Sequence, residues 1–243
     1  MSNRLLEDIK RQQQLMNLDE QLLAPLQSFL DLSKRWSGQD ATSVDIDIPQ
    51  LNNLKGSFED MTTQVIDKLE GGYYHPDMVK DGRHPGGMGN SGETMMGIDR
   101  KHGGTINTSA EGKEFWNLID KADAKKKWKW NYRGGGLESK LKDLVVRMMK
   151  PNYEAFVSRY LTPEAAKIVN GNPSLMFNFI YAVWNGPGWF QKFAKVVNDA
   201  VKQGTKNPDE LTRKVIQARL NSGNKFIAQG GKKIDDFIGT NLA

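Results

Sequence analysis

The stretch that decides the fold is SFEDMTTQVIDKLEGG, residues 57–72. Six of its positions recur at i, i+3, i+4, i+7, i+8 and i+11, the spacing of one face of an α-helix. They are Phe58, Met61, Thr62, Val65, Ile66 and Leu69. Ser57 is a suitable N-cap residue, and the pair Gly71-Gly72 is typical of a helix end. The pattern predicts a helix from Ser57 whose last turn carries Glu70.

Glu70 is the residue of this stretch that points to chemistry. The free carbonyl groups at a helix C-terminus carry partial negative charge and disfavour a carboxylate by about 0.3–1 kcal/mol. Walls formed by Tyr73, Tyr74 or Met95 would add desolvation, which acts in the same direction. Both effects raise the pKa of Glu70, as a general acid for glycosidic cleavage requires. The alternative is a solvated surface residue at an ordinary helix end.

The chain changes character after Glu70. Residues 71–110 are rich in Gly, Pro, Asn, Asp and His, and loops of that length are usually functional or disordered. Short strands are expected around Tyr73-Tyr74 and from Met95 to Ile98. The rest of the chain is expected to be helical, interrupted at Asn-Gly and Asn-Pro turns. The predicted helices cover residues 111–123, 137–150, 151–160, 163–169, 173–184, 188–203, 208–221 and 223–238.

The first 54 residues differ from the remainder. Residues 1–33 have apolar residues at roughly helical spacing, whereas residues 37–50 are polar and end beside a proline, as linkers do. We place a domain boundary near residue 54. The predicted fold class is therefore mainly α (α+β), with a helical domain and a small irregular β lobe over residues 55–243. A helical N-terminal extension over residues 1–54 precedes it.

Composition excludes several kinds of chemistry and leaves the partner open. The 243 residues contain no cysteine, which excludes disulfide bonds and thiolate catalysis. The formal net charge of +5 suits a polyanionic partner, either nucleic acid or a bacterial envelope. No apolar run approaches the ~20 residues that span a bilayer, and the N-terminus lacks a signal peptide's apolar core. We expect a protein that stays in the cytosol unless other machinery carries it out.

Three sequence blocks follow one another in a recognisable order. The first is Glu70-Gly71-Gly72-Tyr73, and after a Pro/Asp/Gly loop the second is Gly92-Glu93-Thr94-Met95-Met96-Gly97-Ile98-Asp99. The third is Leu175-Met176-Phe177-Asn178-Phe179 followed by Trp184-Asn185-Gly186-Pro187-Gly188. Together they resemble glycoside hydrolase family 108, phage and bacterial N-acetylmuramidases with a lysozyme-like fold. The loop between the first two blocks is longer here, and Ser91-Gly92 stands where the family usually has Gly-Gly.

The resemblance implies a substrate and a reaction. The substrate is bacterial peptidoglycan, the bond is the β-1,4 linkage between N-acetylmuramic acid and N-acetylglucosamine, and Glu70 is the proton donor. Neither a cofactor nor a metal is expected. The resemblance and the missing signal peptide place the protein in a phage virion or in the host cytoplasm, acting on the cell wall. Residues 1–54 have no counterpart in the resemblance, and docking onto phage virion proteins is one role for them.

A second carboxylate would decide the mechanism. An inverting glycosidase places a base about 6.5–9.5 Å from the acid, whereas a retaining enzyme places a nucleophile at about 5–5.5 Å. The candidates are Asp77, Asp81 and Glu93, with Asp81 and Glu93 ahead of Asp77. Thr94 is next to Glu93 in the sequence, and its hydroxyl is a candidate for holding the attacking water. The alternative for each carboxylate is stabilisation of a loop turn.

Aromatic and polar residues are candidates for substrate binding. Segment 125–133, KKKWKWNYR, interleaves cations with rings that can stack on sugars or on bases. An amphipathic segment that buries its tryptophans while its lysines stay in water explains the same pattern. The candidate substrate-binding residues are Tyr73, Tyr74, Asp77, Trp128, Trp130 and Asn185.

Other functions remain open from the sequence. A lytic transglycosylase would use Glu70 without a second carboxylate and leave an anhydro product. A non-catalytic virion component would keep a lysozyme scaffold for binding or assembly. A metal site would need three or four of a set of six loop residues to converge, and none of their spacings matches a familiar zinc pattern. The set is His75, His84, His102, Asp77, Asp81 and Glu93. Nucleic acid is not the expected partner, although a steeply salt-dependent affinity for DNA would support it.

Overall fold

The protein is represented by a computed structural model that describes residues 54–70, 72–75, 93–124 and 132–240. The predicted N-terminal extension lies outside these ranges except for its last residue. Four predicted site residues also lie outside the described residues, namely Asp77, Asp81, Trp128 and Trp130. The domain boundary near residue 54 and the roles of these four residues therefore stay predictions.

Helix α1, Phe58–Lys68, begins with a capping box. The Asp60 backbone N–H donates to the Ser57 hydroxyl, and the Ser57 backbone N–H donates to the Asp60 carboxylate at 2.8 Å. The predicted apolar face is the buried one, and Met61 and Val65 are completely buried. Leu69 is the C-cap, so Glu70 lies just past the last turn rather than on it. Its backbone N–H still donates to the Val65 carbonyl at 3.1 Å, which keeps Glu70 beside the helix end.

A small antiparallel sheet follows, with strands in the order β1 (Tyr73–Tyr74), β2 (Thr94–Met95) and β3 (Ile98–Asp99). Met95 is opposite Tyr73 on one side and Ile98 on the other. Met96 and Gly97 connect β2 to β3 with φ angles of 49° and 73°. Both angles are positive, as a two-residue type I′ turn requires. The strands expected in this region are confirmed, with a tight turn inside the second one.

Eight further helices make up the rest of the described chain. They are α2 (Thr105–Thr108), α3 (Ala110–Lys121), α4 (Gly136–Tyr160), α5 (Pro163–Gly171), α6 (Pro173–Trp184), α7 (Pro187–Lys202), α8 (Pro208–Leu220) and α9 (Lys225–Ile238). Helices α5 to α8 each begin with proline, whose missing N–H is not needed at the first helical position. Residues just before three of them cap the helix with a side-chain oxygen: Thr162, Asn172 and Asn207.

Helix α4 corrects one prediction, because the sequence suggested separate helices over residues 137–150 and 151–160. The helix instead runs continuously through Pro151. An interior proline costs about 3 kcal/mol. Met149 before it and Tyr153 and Val157 after it are buried, and each buried side chain contributes about 1.5–3 kcal/mol. Burial of one apolar face on both sides of Pro151 therefore offsets the cost. The four-residue helix α2 was not predicted, since it is too short to show a period.

Helix α6 is the centre of the helical body. Nine of its twelve residues are buried, which is typical of a helix that is apolar on all sides. It contacts helices α1, α4, α5, α7 and α8. The last turn of α6, with Tyr181 and Trp184, is thus held by the core at the point where the chain turns through Asn185 into α7.

The described chain is mainly helical with a small three-stranded sheet, which confirms the predicted fold class. Throughout the ranges described, every helix is too short or too polar to cross a bilayer.

The capping box predicts a measurable part of the stability. Ser57→Ala removes the oxygen that accepts the Asp60 N–H, so we expect the free energy of unfolding to fall by about 1 kcal/mol. Ser139→Ala, on the exposed face of α4, is the matched control and should change stability by less than about 0.5 kcal/mol. Urea denaturation of both variants measures the effect. Equal changes in the free energy of unfolding for the two variants would show that the capping box contributes nothing to stability.

Candidate active site

Glu70 lies where helix α1 ends and the small sheet begins. Its side chain is partly buried, and this burial raises the pKa of the Glu70 carboxyl. Two groups oppose the rise without cancelling it, namely the positive charge of Lys233 and a hydrogen bond from Tyr181. The carboxyl therefore holds its proton to a higher pH than an ordinary glutamate, and burial, one of the two predicted causes, is what raises its pKa.

A chain of hydrogen bonds connects Glu70 to a buried arginine. The Tyr181 hydroxyl donates a hydrogen bond to Glu70 and accepts one from the Asn185 side chain. The oxygen of that side chain, Asn185 Oδ1, accepts a hydrogen bond from Arg219 at 2.8 Å. Tyr181 and Asn185 are one helical turn apart, so they share a face of α6 and its cap.

Arg219 is completely buried, which is unusual for a cation. Its guanidinium also donates to the Asn178 carbonyl at 2.7 Å. Its central carbon lies 4.9 Å from the Tyr181 ring centroid and 4.2 Å from that of Phe193, distances typical of cation–π contacts. Burial lowers the pKa of Arg219 to about 9, so it stays charged at neutral pH. The negative faces of two rings and two neutral oxygens thus stabilise its charge.

Helix α9 closes over this network through two adjacent glycines. A Cβ atom at Gly230 would lie 2.7 Å from the Tyr181 hydroxyl, and one at Gly231 would lie 2.8 Å from Arg219 Cβ. Mid-helix glycine costs about 1 kcal/mol relative to alanine, so its presence here is explained by the close approach. The same helix carries Lys233, whose charge acts on Glu70.

The turn between β2 and β3 also lies against Glu70. A Cβ atom at Gly97 would lie 2.6 Å from Glu70 Oε2 and 2.7 Å from the Trp184 indole. The Trp184 indole N–H donates to the Met96 carbonyl at 3.2 Å, which ties the turn to the end of α6. Gly97 is therefore required both by its positive φ and by the space that Glu70 and Trp184 occupy.

A cavity of about 410 Å³ opens next to this turn, and Gly97 and Trp184 belong to its wall. Strand β3 and the loop that follows it, the start of α2, one face of α4, Val183 of α6 and the turn into α7 supply the rest of the lining. The volume falls within the roughly 300–1,000 Å³ of small-molecule sites. A carboxyl with a raised pKa beside such a cavity is typical of a catalytic acid.

Glu93 is held by two neighbours in a network of charges. Tyr73 donates its hydroxyl to Glu93 Oε1 at 2.6 Å, and Arg100 donates to Glu93 Oε2 at 2.7 Å. Arg100 also binds both oxygens of Asp120, and its guanidinium lies 5.1 Å from the Trp116 ring centroid. Burial and the Glu93 charge raise the pKa of Tyr73 far above its usual value, so Tyr73 remains a donor. Glu93 would have to release one of these bonds to act as a base.

The remaining predicted residues are distributed around this region. Thr94 pairs with Tyr74 and with Asp99 across the sheet, and the Tyr74 side chain is buried. Asn185 belongs to the hydrogen-bond chain described above, so its side chain serves Tyr181 and Arg219. Among the parts of the chain with described coordinates, no three His, Asp or Glu side chains lie close enough to hold a metal ion.

Four contributors to the site were missed by the sequence reasoning: Tyr181, Arg219, Lys233 and Gly97. Tyr181 could have been identified from the sequence, because it lies one helical turn before the candidate Asn185 and shares its helix face. Gly97 lies in the Met-Met-Gly-Ile block, and its role as a turn residue was readable there. Arg219 and Lys233 approach from distant helices, and nothing local in their sequence marks them.

Comparisons with protein-family models, with curated proteins and with solved structures find no match for this chain.

Removal of the Tyr181 hydroxyl should raise the pKa of Glu70 further. Tyr181→Phe deletes a hydrogen bond that favours the ionised carboxylate, so the protonated form gains. Tyr160→Phe, which keeps a ring in its contacts with Phe156 and Phe190, is the control and should leave Glu70 unchanged. Carbon-13 NMR titration of glutamate-labelled protein reports the carboxyl directly. A Glu70 pKa that is unchanged or lower in Tyr181→Phe contradicts the assigned hydrogen bond.

The raised pKa of Glu70 also predicts a pH-dependent stability. Below the pKa of the unfolded state Glu70 is neutral in both states, so Glu70→Gln and wild type should differ little in their pH trend. As pH rises through the folded pKa, wild type must bury a charge and loses stability that the glutamine variant keeps. The difference in unfolding free energy should therefore grow in favour of Glu70→Gln between acid and neutral pH.

Urea denaturation at a series of pH values measures this difference. Glu154→Gln, on the exposed face of α4, is the matched control and should show no comparable trend. If the difference in unfolding free energy between wild type and Glu70→Gln does not vary with pH, the pKa of Glu70 is not raised in the folded protein.

Proposed function

We propose that this protein hydrolyses the glycan strands of bacterial peptidoglycan, with Glu70 as the general acid. The observation that carries the proposal is the partly buried Glu70 carboxyl, with its raised pKa, in contact with the Gly97 turn beside a cavity. A carboxyl whose pKa is raised keeps its proton to a higher pH and can donate it to the oxygen of a glycosidic bond.

The surroundings of Glu70 suit both states of the reaction. Before proton transfer, burial favours the neutral acid. After it, the Tyr181 hydroxyl donates to the new carboxylate, and the Lys233 charge stabilises the same negative form. The leaving oxygen takes the proton, the C1–O bond breaks, and water adds to the oxocarbenium-like sugar. Glu93, Asp81 and Asp77 remain the candidates for the group that accepts a proton from this water.

Two features of the sequence support peptidoglycan as the polysaccharide. The Glu70-Gly71-Gly72-Tyr73 block, the Gly92–Asp99 block and the Asn185 turn resemble those of N-acetylmuramidases, and a helix end, a small sheet and a central helix bring parts of all three blocks together. The net charge of +5 favours encounter with a wall that carries carboxylates. Docking of residues 1–54 onto phage virion proteins belongs to the same proposal and needs its own test.

One observation favours a lytic transglycosylase as the second candidate function. Both oxygens of Glu93 are engaged by Tyr73 and Arg100, so this carboxylate is not a ready base. A transglycosylase needs no second carboxylate, because the 6-hydroxyl of N-acetylmuramic acid attacks C1 of the same sugar. Glu70 would first protonate the leaving oxygen and then accept the hydroxyl proton, which restores the acid and leaves a 1,6-anhydro sugar.

Purified peptidoglycan sacculi test the proposal. We expect wild type and the control Glu154→Gln to clear a suspension of sacculi at equal rates, and Glu70→Gln to be slower by a factor of about 10²–10⁴. The glutamine variant keeps the size of the side chain but has no proton of suitable acidity. Mass analysis of the released fragments distinguishes the two reactions, because hydrolysis leaves reducing N-acetylmuramic acid ends and transglycosylation leaves anhydro ends.

The outcomes separate the alternatives. Equal clearing by wild type and Glu70→Gln would show that Glu70 is not the acid. Sacculi that stay turbid with every variant would favour a non-catalytic protein that binds the wall or assembles into a virion.

A further inference from the structure

A second cavity, of about 460 Å³, lies between the end of helix α4 and helix α7. It has no lining residue in common with the cavity beside the Gly97 turn. Its wall contains three cations, one carboxylate, one ring and two amides, and we call it the basic groove. The residues that line the basic groove are Arg159, Tyr160, Gln191, Lys192, Lys195, Asn198 and Asp199.

Rings and one asparagine hold the two helices together beside the basic groove. The Phe190 ring centroid of α7 lies 5.3 Å from that of Phe156 and 6.1 Å from that of Tyr160, both on α4. Asn198 of α7 donates from Nδ2 to the Tyr160 carbonyl at 2.9 Å. Its Oδ1 accepts a hydrogen bond from the Thr162 N–H at 3.0 Å. The charged side chains of the groove therefore extend from a backbone that packing holds in place.

The cations of the basic groove outnumber its carboxylate by three to one. In the described ranges, the charged groups of Arg159 and Lys192 lie over aromatic rings and have no carboxylate within ion-pairing distance. Lys195 pairs with Asp199 at 2.5 Å, but these side chains are 74% and 53% exposed. An exposed ion pair contributes little to stability, so an anionic ligand can replace Asp199 at low cost. The groove thus offers an excess of positive charge to such a ligand.

The aromatic rings near the basic groove are already covered. Lys192 Nζ lies 4.1 Å from the Trp189 ring centroid, and the Phe193 ring stacks on the same indole at 6.0 Å. The Arg159 guanidinium lies 5.4 Å from the Tyr160 ring centroid. Single-stranded nucleic acids bind in cationic channels by stacking their bases on aromatic faces. Because these faces are covered, the groove suits a chain of phosphates without bases better than it suits a nucleic acid.

We propose that the basic groove binds a phosphodiester polymer of polyols, a chain that carries phosphates and hydroxyls but no bases. Arg159 binds phosphate oxygens through two parallel N–H groups, whereas Lys192 and Lys195 act as point charges. The exposed amide of Gln191 bonds a polyol hydroxyl. This binding site goes beyond the proposed glycan cleavage and does not depend on Glu70.

Equilibrium binding of the full chain to end-labelled poly(glycerol phosphate), measured by fluorescence anisotropy, tests the proposal. The comparison probes are an oligothymidylate with the same number of phosphates and a poly-glutamate of the same charge. We expect poly(glycerol phosphate) to bind most tightly. Its affinity should fall about 20- to 40-fold between about 50 and 200 mM salt, because three phosphate contacts release about three counterions.

Two matched double variants test the location. Arg159→Gln with Lys192→Gln should lower the affinity for poly(glycerol phosphate) about tenfold or more at low salt, and reduce the salt slope by about one for each lost contact. Arg147→Gln with Lys140→Gln removes the same charge from exposed positions in the first half of α4. Arg147 is about 18 Å from Arg159 along the helix, beyond the range of unscreened charge, so this variant should bind like wild type.

Removal of the groove carboxylate should have the opposite effect. Asp199→Asn releases Lys195 and takes away a negative charge, so poly(glycerol phosphate) should bind about two- to fivefold more tightly. Asp143→Asn breaks the matching i,i+4 pair with Arg147 on α4 and is the control, which should leave the affinity unchanged.

The outcomes that would overturn the proposal are distinct. Equal or tighter binding of oligothymidylate would assign the groove to nucleic acid, and equal binding of poly-glutamate would show a response to charge alone. Equal affinities of the two double variants would place the binding elsewhere on the protein. The measurement needs no turnover, so its result is independent of whether wild type clears sacculi.

Discussion

The hydrogen bond from Tyr181 to Glu70 joins the two parts of the described chain on which the site depends. Glu70 belongs to the end of α1 and the small sheet, whereas Tyr181 belongs to the central helix α6. The Asn185 side chain contacts the Tyr181 hydroxyl, and Arg219 donates a hydrogen bond to Asn185. A carboxylate at a helix end would normally turn toward water, whereas the Glu70 carboxyl is partly buried and lies beside the Gly97 turn.

Burial of the charged Arg219 side chain carries a free-energy cost. No carboxylate of the described residues pairs with this buried cation, and two aromatic faces and the oxygens of Asn178 and Asn185 stabilise it instead. Cation–π contacts contribute about 2 kcal/mol or more when desolvated, and hydrogen bonds to a charged group contribute about 1.5–3 kcal/mol each. The charge of Arg219 creates a positive electrostatic potential next to Tyr181. A carboxylate in place of the aromatic rings would neutralise this charge.

The sequence was informative wherever a pattern is local. Helix α1, the three short strands and the helices that begin with proline follow from periodicity, caps and turn residues within a few positions of one another. The place of Glu70 at a helix end, and the direction of its pKa, followed from the same reading. Pro151 was misread because a local rule was outweighed by the burial of a helix face, which depends on the rest of the fold. Tyr181 and Arg219 could not be assigned to Glu70, since residues 70, 181 and 219 meet only through tertiary packing.

The glycine pair in α9 has a consequence for the order in which the site is completed. Gly230 and Gly231 let the last described helix lie against Tyr181 and Arg219, and Lys233 follows one turn later. A ribosome makes these residues after all the others that surround Glu70. A growing chain can therefore form the sheet and the central helix while Tyr181 is still uncovered, and the carboxyl acquires this environment only after α9 has been made.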